Sequence, residues 1–224
     1  MYLSRVVINR YSPENFKTLT HLGAYHDWVE RSFPAEFQAG IRPRHLWRID
    51  SLANKQYLVV LSETAPDLHA LEAYGVPETA VSKSYDHFLD QLQVGQVLRF
   101  KLTANPTHRV PQAGHKTGKV YPHVTAAQQR QWLIKRAESA GFQLLKLPAD
   151  DYFEEPDYDF KIINRDWPIL FRKPGHGHRV KLSRVTFEGM LKINDLDAFK
   201  HTLTQGIGRE KAFGMGLMTV VPQR

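Results

Sequence analysis

The sequence predicts an α+β fold made of two α–β repeats, the first of them a ferredoxin-like βαββαβ unit. Three observations carry this. Short runs of alternating apolar and polar residues are interleaved with segments whose apolar residues recur every three or four positions. Pro, Gly, Asn and Asp punctuate those runs at intervals suited to short strands and helices. The chain has 224 residues, enough for one large domain or two small ones with a proper core.

Residues 3–9, LSRVVIN, read as the first strand. Ser12-Pro13-Glu14 then starts a helix, with a capping hydroxyl, proline at the first helical position and an acid in the first turn. Phe16, Leu19, Leu22, Tyr25 or His26, Val29 and Phe33 continue at helical spacing, Gly23 is expected to bend or interrupt it, and Pro34 ends it. HLWRID (45–50) and QYLVVLSE (56–63) follow as strands, and AVSKSYDHFLDQL (80–92) reads as a second helix. GQVLRFKLTANP (95–106) reads as a strand with Leu98, Phe100, Leu102 and Ala104 on one face.

After Pro106 comes a polar, basic stretch, THRVPQAGHKTGKVYPH, then a helix opened by a Thr125-x-x-Gln128 capping box and stopped at Gly141. FQLLKL is a strand, PADDYFEEPDYDF (148–160) an acidic, aromatic loop, and ILFRKPGHGHRVKLSRV a hairpin with a Pro-Gly turn. RVTFEGMLKIND places Val185, Phe187, Gly189, Leu191 and Ile193 on one strand face, and Asn194 or Asp195 caps a helix carrying Leu196, Phe199 and Leu203. The expected division is residues 1–106 and 107–224, with the boundary near 106–120.

Hydrophobic residues at 42% and charged ones at 24% exclude a disordered chain. No run approaches the roughly eighteen apolar residues of a membrane span. The first residues turn polar without a secretory apolar region, so a cytoplasmic protein is expected. The absence of cysteine excludes disulfides, thiolate metal sites and a thiol nucleophile. The formal charge of +7 favours a polyanionic partner, because Lys and Arg displace counterions condensed on phosphates.

The residue pattern with most chemistry is GIGREKAFGMGL, in which Gly206, Gly208, Gly214 and Gly216 surround Arg209 and Lys211. It follows a helix and precedes a strand, the reverse of a Rossmann or P-loop arrangement. Two readings stand: a tight helix-to-strand turn, and a loop whose backbone approaches phosphate. The hairpin gathers Arg172, Lys173, His176, His178, Arg179, Lys181 and Arg184, with Arg179, Lys181 and Ser183 on one face. Lys116 and Lys119 in HKTGK are a second basic cluster. His176-x-His178 could face one metal, but no HExxH motif and no flanking acid accompany it, so no metal or other cofactor is expected.

The ending GIGREKAFGMGLMTVVP after FEGMLKINDLDAF resembles the repeat-associated RNA-processing superfamily of CRISPR systems. With MYLS, LRFKLTANPT (98–107) and QWLIKRAESAGF (131–142), it resembles the E-subtype endoribonucleases of the Cascade complex across most of the chain. The resemblance implies a tandem ferredoxin-like fold that binds the stem-loop of the CRISPR repeat and cuts it without metal. It also implies attack by a 2′-hydroxyl, leaving 5′-hydroxyl and 2′,3′-cyclic phosphate or 3′-phosphate ends, and retention of the RNA among other Cascade subunits. The family histidine, in the helix after the first strand and shortly before a Phe-Pro pair, falls on His26. Its tyrosine falls on Gly23, leaving Tyr25 as the nearest substitute or as a core anchor. A family basic group falls on Arg31, a phosphate clamp or a solvated side chain. Histidine suits the proton transfer because it titrates near neutrality. The alternative is a catalytically silent RNA-binding subunit, for which the missing tyrosine is the argument.

Overall fold

The structure, a computed structural model, describes residues 1–114, 118–148, 157–171 and 179–223. The chain opens with β1 (Tyr2–Val7), α1 (Pro13–Thr18), α2 (Leu22–Arg31), α3 (Pro34–Gln38), β2 (Leu46–Leu52), β3 (Lys55–Ser62), α4 (Leu68–Leu71), β4 (Val81–Ser84) and α5 (Asp86–Asp90). Four strands form an antiparallel sheet in the order β2-β3-β1-β4, the ferredoxin-like arrangement. Val6, Val29, Leu46, Leu58, Val60 and Leu71 are fully buried at its core.

Two expectations change here. The segment after Ser12 is three helices, and its first break lies at Leu19–His21, not at Gly23. Ser12 Oγ accepts from Asn15 N–H to start α1, but the Asn15 amide then donates to the carbonyls of Asn9 and Tyr74, tying that turn down. His21 restarts the helix, its Nδ1 accepting the Ala24 N–H at 3.2 Å, so Gly23 sits inside the first turn of α2. Residues 80–92 are also not one helix. Val81–Ser84 extends along β1, with Tyr2 opposite Ser84, and Ser4 and Ser82 share a hydroxyl hydrogen bond of 2.8 Å. The free edge of β1 outweighs the helical spacing of a segment that begins Val-Ser-Lys-Ser.

The chain continues with β5 (Val97–Ala104), β6 (Thr107–Val110), β7 (Lys119–Pro122), α6 (Ala126–Ala137), β8 (Phe142–Leu144), β9 (Phe160–Asp166), β10 (Ile169–Phe171) and β11 (Arg179–Lys181). β12 (Arg184–Ile193), α7 (Leu196–Gln205), a 3₁₀ turn at Lys211–Phe213 and β13 (Met218–Pro222) complete it. β5, read from sequence as closing the first half, founds the second sheet instead. The order there is β13-β5-β12-β8, with β9 also on β12, so β5-α6-β8-β12-α7-β13 is a second ferredoxin-like unit. One compact unit therefore comprises residues 1–91 with 168–171, 179–181 and 210–217, and the other holds the rest of the described chain.

The alternation in β5 and β12 is borne out. Leu98, Phe100, Leu102, Ala104, Val185, Phe187, Leu191 and Ile193 are at most 1% exposed. Trp132 and Leu133 of α6 and Phe199 and Leu203 of α7 are buried in the same unit. The capping box at Thr125 and Gln128 is present, and Gly141 ends the helical run at φ +83°. A Cβ at Gly141 would collide with the backbone of Phe199 and Asp195. Gly141→Ala should therefore cost more than about 1 kcal/mol, read as a lower urea midpoint. No helix among the described residues is long and apolar enough to cross a membrane.

Candidate active site

α2 is set in rotation by Trp28 and Val29, both buried, and by the Trp28 indole N–H donating to the Leu71 carbonyl at 3.1 Å. That leaves Asp27 and Arg31 in solvent and His26 at the border, its side chain 35% exposed. Tyr25 lies with its ring stacked on Trp47, centroids 6.0 Å apart, and tilted against Trp28 at 6.3 Å. Both ring contacts are of the kind that anchors a helix.

Trp47, 1% exposed, donates its indole N–H to the Ala212 carbonyl at 3.0 Å, which seats the 211–213 turn in the first unit. Gly214, at φ +73°, lets that backbone lie on the indole, where a Cβ would stand 2.6 Å from the ring. Phe213 then meets the His26 ring edge-on, centroids 5.7 Å apart. Gly206 ends α7 at φ +73°, and Gly208 at φ +86° would bring a Cβ to 3.1 Å from Trp132. Gly216 has φ +99°. All four thus take a positive φ, and Gly208 and Gly214 also pack against indoles. Arg209 is exposed, and Lys211 is half-buried with its pKa lowered by burial and then by the charge of Arg44.

A cavity of about 550 Å³ opens beside His26, lined by Glu30, Arg31, Phe37, Arg42 and His45 among others. Its size is within the roughly 300–1,000 Å³ of small-ligand clefts. Glu30 Oε1 accepts from His45 Nδ1 at 2.9 Å and lies 3.9 Å from His26 Nδ1. His45 is buried, stacked on Phe33 with centroids 3.9 Å apart, and its Nε2 is 2.9 Å from Glu36 Oε2. That second contact is an off-axis approach, since the nitrogen makes no hydrogen bond of good geometry. Thr64 Oγ1 donates to the other oxygen of Glu36. The hydrogen bond from His45 holds the Glu30 carboxyl below its ordinary range against the effect of burial, with further help from the charges of His45, His26 and Arg42. A sequence search for reactive groups misses Glu30, Glu36, Arg42, Arg44 and His45. Their available signals are the spacing of Glu30 four residues after His26 and the basic Arg42-Pro43-Arg44 preceding His45.

Arg31 lines the same cavity. Its Nε is 2.9 Å from Asp27 Oδ2, both side chains mostly exposed. At Gly23 a Cβ would come within 3.0 Å of the His21 ring, so that imidazole occupies the room where a residue-23 side chain would begin.

A profile of the family described as "CRISPR associated protein" matches residues 1–222. The chain belongs to this CRISPR-associated family. It is 30% identical to the CRISPR-associated endoribonuclease Cse3 of Thermus thermophilus over 99% of this chain and 100% of that one. It is 28% identical to the CRISPR system Cascade subunit CasE of Escherichia coli K12, again over 99% and 100%. A structure of Thermus thermophilus Cse3 bound to an RNA representing a pre-cleavage complex superposes with a TM-score of 0.77, at 28% identity, over 99% of this chain and 98% of that one.

In this CRISPR-associated chain the remaining basic candidates divide. Arg179 and Lys181 are exposed on β11, which pairs with β10 in the register Phe171 to Arg179 and Ile169 to Lys181. Arg172, Lys173, His176, His178 and Lys116 lie outside the described residues. Arg184 is engaged by Asp166 through Nε, at 2.8 Å, and Nη2, so its charge is already met. Ser183 does not share the face of Arg179 and Lys181. It is buried, donating to the His123 carbonyl and accepting from the Gln129 amide. Lys119 is exposed, its Nζ 5.3 Å from the centre of the Tyr121 ring. Among the described residues, no group of three or more His, Asp or Glu side chains is arranged to hold a metal.

Proposed function

We propose that the protein is a metal-independent endoribonuclease of the cytoplasm that binds the repeat stem-loop of precursor CRISPR RNA and cleaves at its 3′ base. It then keeps the product as a subunit of a Cascade complex. The observation that carries this reading is His26, half-exposed on an anchored helix beside an open cavity with exposed arginines, in a chain matching a named endoribonuclease along its whole length.

His26 removes the proton of the 2′-hydroxyl, whose oxygen forms the new bond to phosphorus as the bond from phosphorus to the 5′ oxygen breaks. The leaving oxygen takes a proton from water, and the histidine returns its own to solvent. The products are a 5′-hydroxyl and a 2′,3′-cyclic phosphate. RNA supplies its own nucleophile, so alignment and charge stabilisation are what the protein adds. Arg31 and Arg42, which line the cavity, hold the scissile phosphate, and Arg44 and Lys211 add positive charge. Tyr25 keeps α2 in place through its stacking on Trp47. Arg179, Lys181, Lys119 and Arg209, all exposed, contact the RNA backbone, largely through its shape and phosphates.

The absence of a tyrosine at position 23 favours a second reading, a silent RNA-binding subunit. An end-labelled repeat hairpin incubated in EDTA separates the two. Cleavage of the all-ribose hairpin and complete loss of cutting with a 2′-deoxy nucleotide at the scissile position, at equal binding, is the expected result. Cutting that survives the deoxy substitution overturns the mechanism, and tight binding without cutting establishes the silent subunit.

A further inference from the structure

We infer that Glu30, His45 and Glu36 form a buried-to-surface relay that positions His26, with Glu30 fixing the Nδ1 side of its ring so that Nε2 exchanges the proton with RNA. The inference rests on the reading of His26 as the proton-transfer residue. It adds three positioning residues: Glu30 on α2, Glu36 on α3 and His45 just before β2.

The geometry is continuous. His26 Nδ1 lies 3.9 Å from Glu30 Oε1, the same oxygen that accepts from His45 Nδ1 at 2.9 Å. His45 Nε2 lies 2.9 Å from Glu36 Oε2, and Thr64 holds the far oxygen of Glu36. His45 donates through Nδ1 to Glu30, while its Nε2 lies off-axis beside Glu36. His45 and Glu36 are buried, whereas Glu30 and His26 are partly exposed. A buried ion group of this kind is costly to desolvate and is poor evidence of stability by itself. Its output is orientation: the inner members are locked, and the outermost carboxylate oxygen is presented to the ring beside the cavity.

A carboxylate on one imidazole nitrogen fixes the tautomer and stabilises the imidazolium formed when the other nitrogen takes a proton. The 3.9 Å gap is of the kind that closes when substrate is bound. Other charges surround the ring. Asp27 and Arg31 on α2 engage each other, and Arg42 flanks Glu30. Lys211 lies on the 211–213 turn packed against α2, and His69 and Glu72 flank the Leu71 contact of α4. On β2, Arg48 is engaged by Asp50 and the Leu217 carbonyl. Of the carboxylates, Glu30 is the one placed at 3.9 Å from the imidazole.

The test is the pH dependence of single-turnover cleavage of a repeat hairpin by the full chain. Removing the carboxylate lowers the proton affinity of His26, so the acid limb of Glu30→Gln should move to lower pH. The expected shift is roughly 0.7 pH unit, the effect of a unit charge about 4 Å away in a water-like medium. The plateau rate should fall by about two- to tenfold, with RNA affinity unchanged. His45→Gln, which loses the donor to Glu30, should move the limb the same way. His45→Asn, which can keep that donor, should return it to the wild-type position. A dead His26→Ala protein together with an unmoved limb in Glu30→Gln overturns this inference alone. A His26→Ala protein that still cuts overturns the reading beneath it, and this one with it.

Discussion

Replacing His26 with alanine should slow cleavage of the repeat hairpin by about 10²–10⁴-fold while leaving RNA affinity unchanged, the usual loss when a positioned acid–base group is removed. The side chain sits at the solvent border, with one ring contact to Phe213 and one distant carboxylate, so its truncation leaves little cavity behind. Any large loss of rate is therefore chemical and not a failure of folding. Single-turnover rates and equilibrium binding on the same hairpin separate the two. A rate within tenfold of wild type at equal affinity would falsify the assignment of proton transfer to this imidazole.

Trp47→Ala should destabilise the protein by about 3–5 kcal/mol, the range for truncating a buried aromatic side chain. Three dependencies meet on this indole. It carries the Tyr25 ring, it satisfies the Ala212 carbonyl, and it fills the space that Gly214 leaves open. The 211–213 turn should loosen with it and release Phe213 from His26. Cleavage should then decline even at temperatures where the variant remains folded. Urea unfolding and a rate measured well below the melting temperature check both halves. A loss under about 1 kcal/mol would mean that neighbours collapse into the gap and that the seat is not built on Trp47.

Much of the fold is legible because strand alternation encodes which face is buried. Leu98, Phe100, Leu102 and Ala104 announce an inner face, and they have one. Alternation does not encode the partner strand. β5 therefore read as the end of the first repeat, although its hydrogen bonds go to β12 and β13. Val81–Ser84 is too short for a period to distinguish strand from helix, and only pairing with β1 decides. At the site, the engagement of Arg31 was readable from Asp27 four residues earlier on the same helix. The seat of Gly214 on Trp47 was not, because nothing local in either segment points to the other. Glu36 and His45 were invisible for the same reason. Each is unremarkable beside its own sequence neighbours, and meaning comes only when α3 and the start of β2 are folded together.

Synthesis order has a bearing on when the first unit is complete. The first 91 residues leave the ribosome with the Trp47 indole proton unanswered, because its acceptor belongs to the segment 210–217 of the same unit. At about 5–20 residues per second, the intervening stretch 92–209 takes roughly 6–24 s to make. Until it has passed, the nascent helix bearing the imidazole lacks its final cover. The late glycine segment is thus the last part of the first unit to be made.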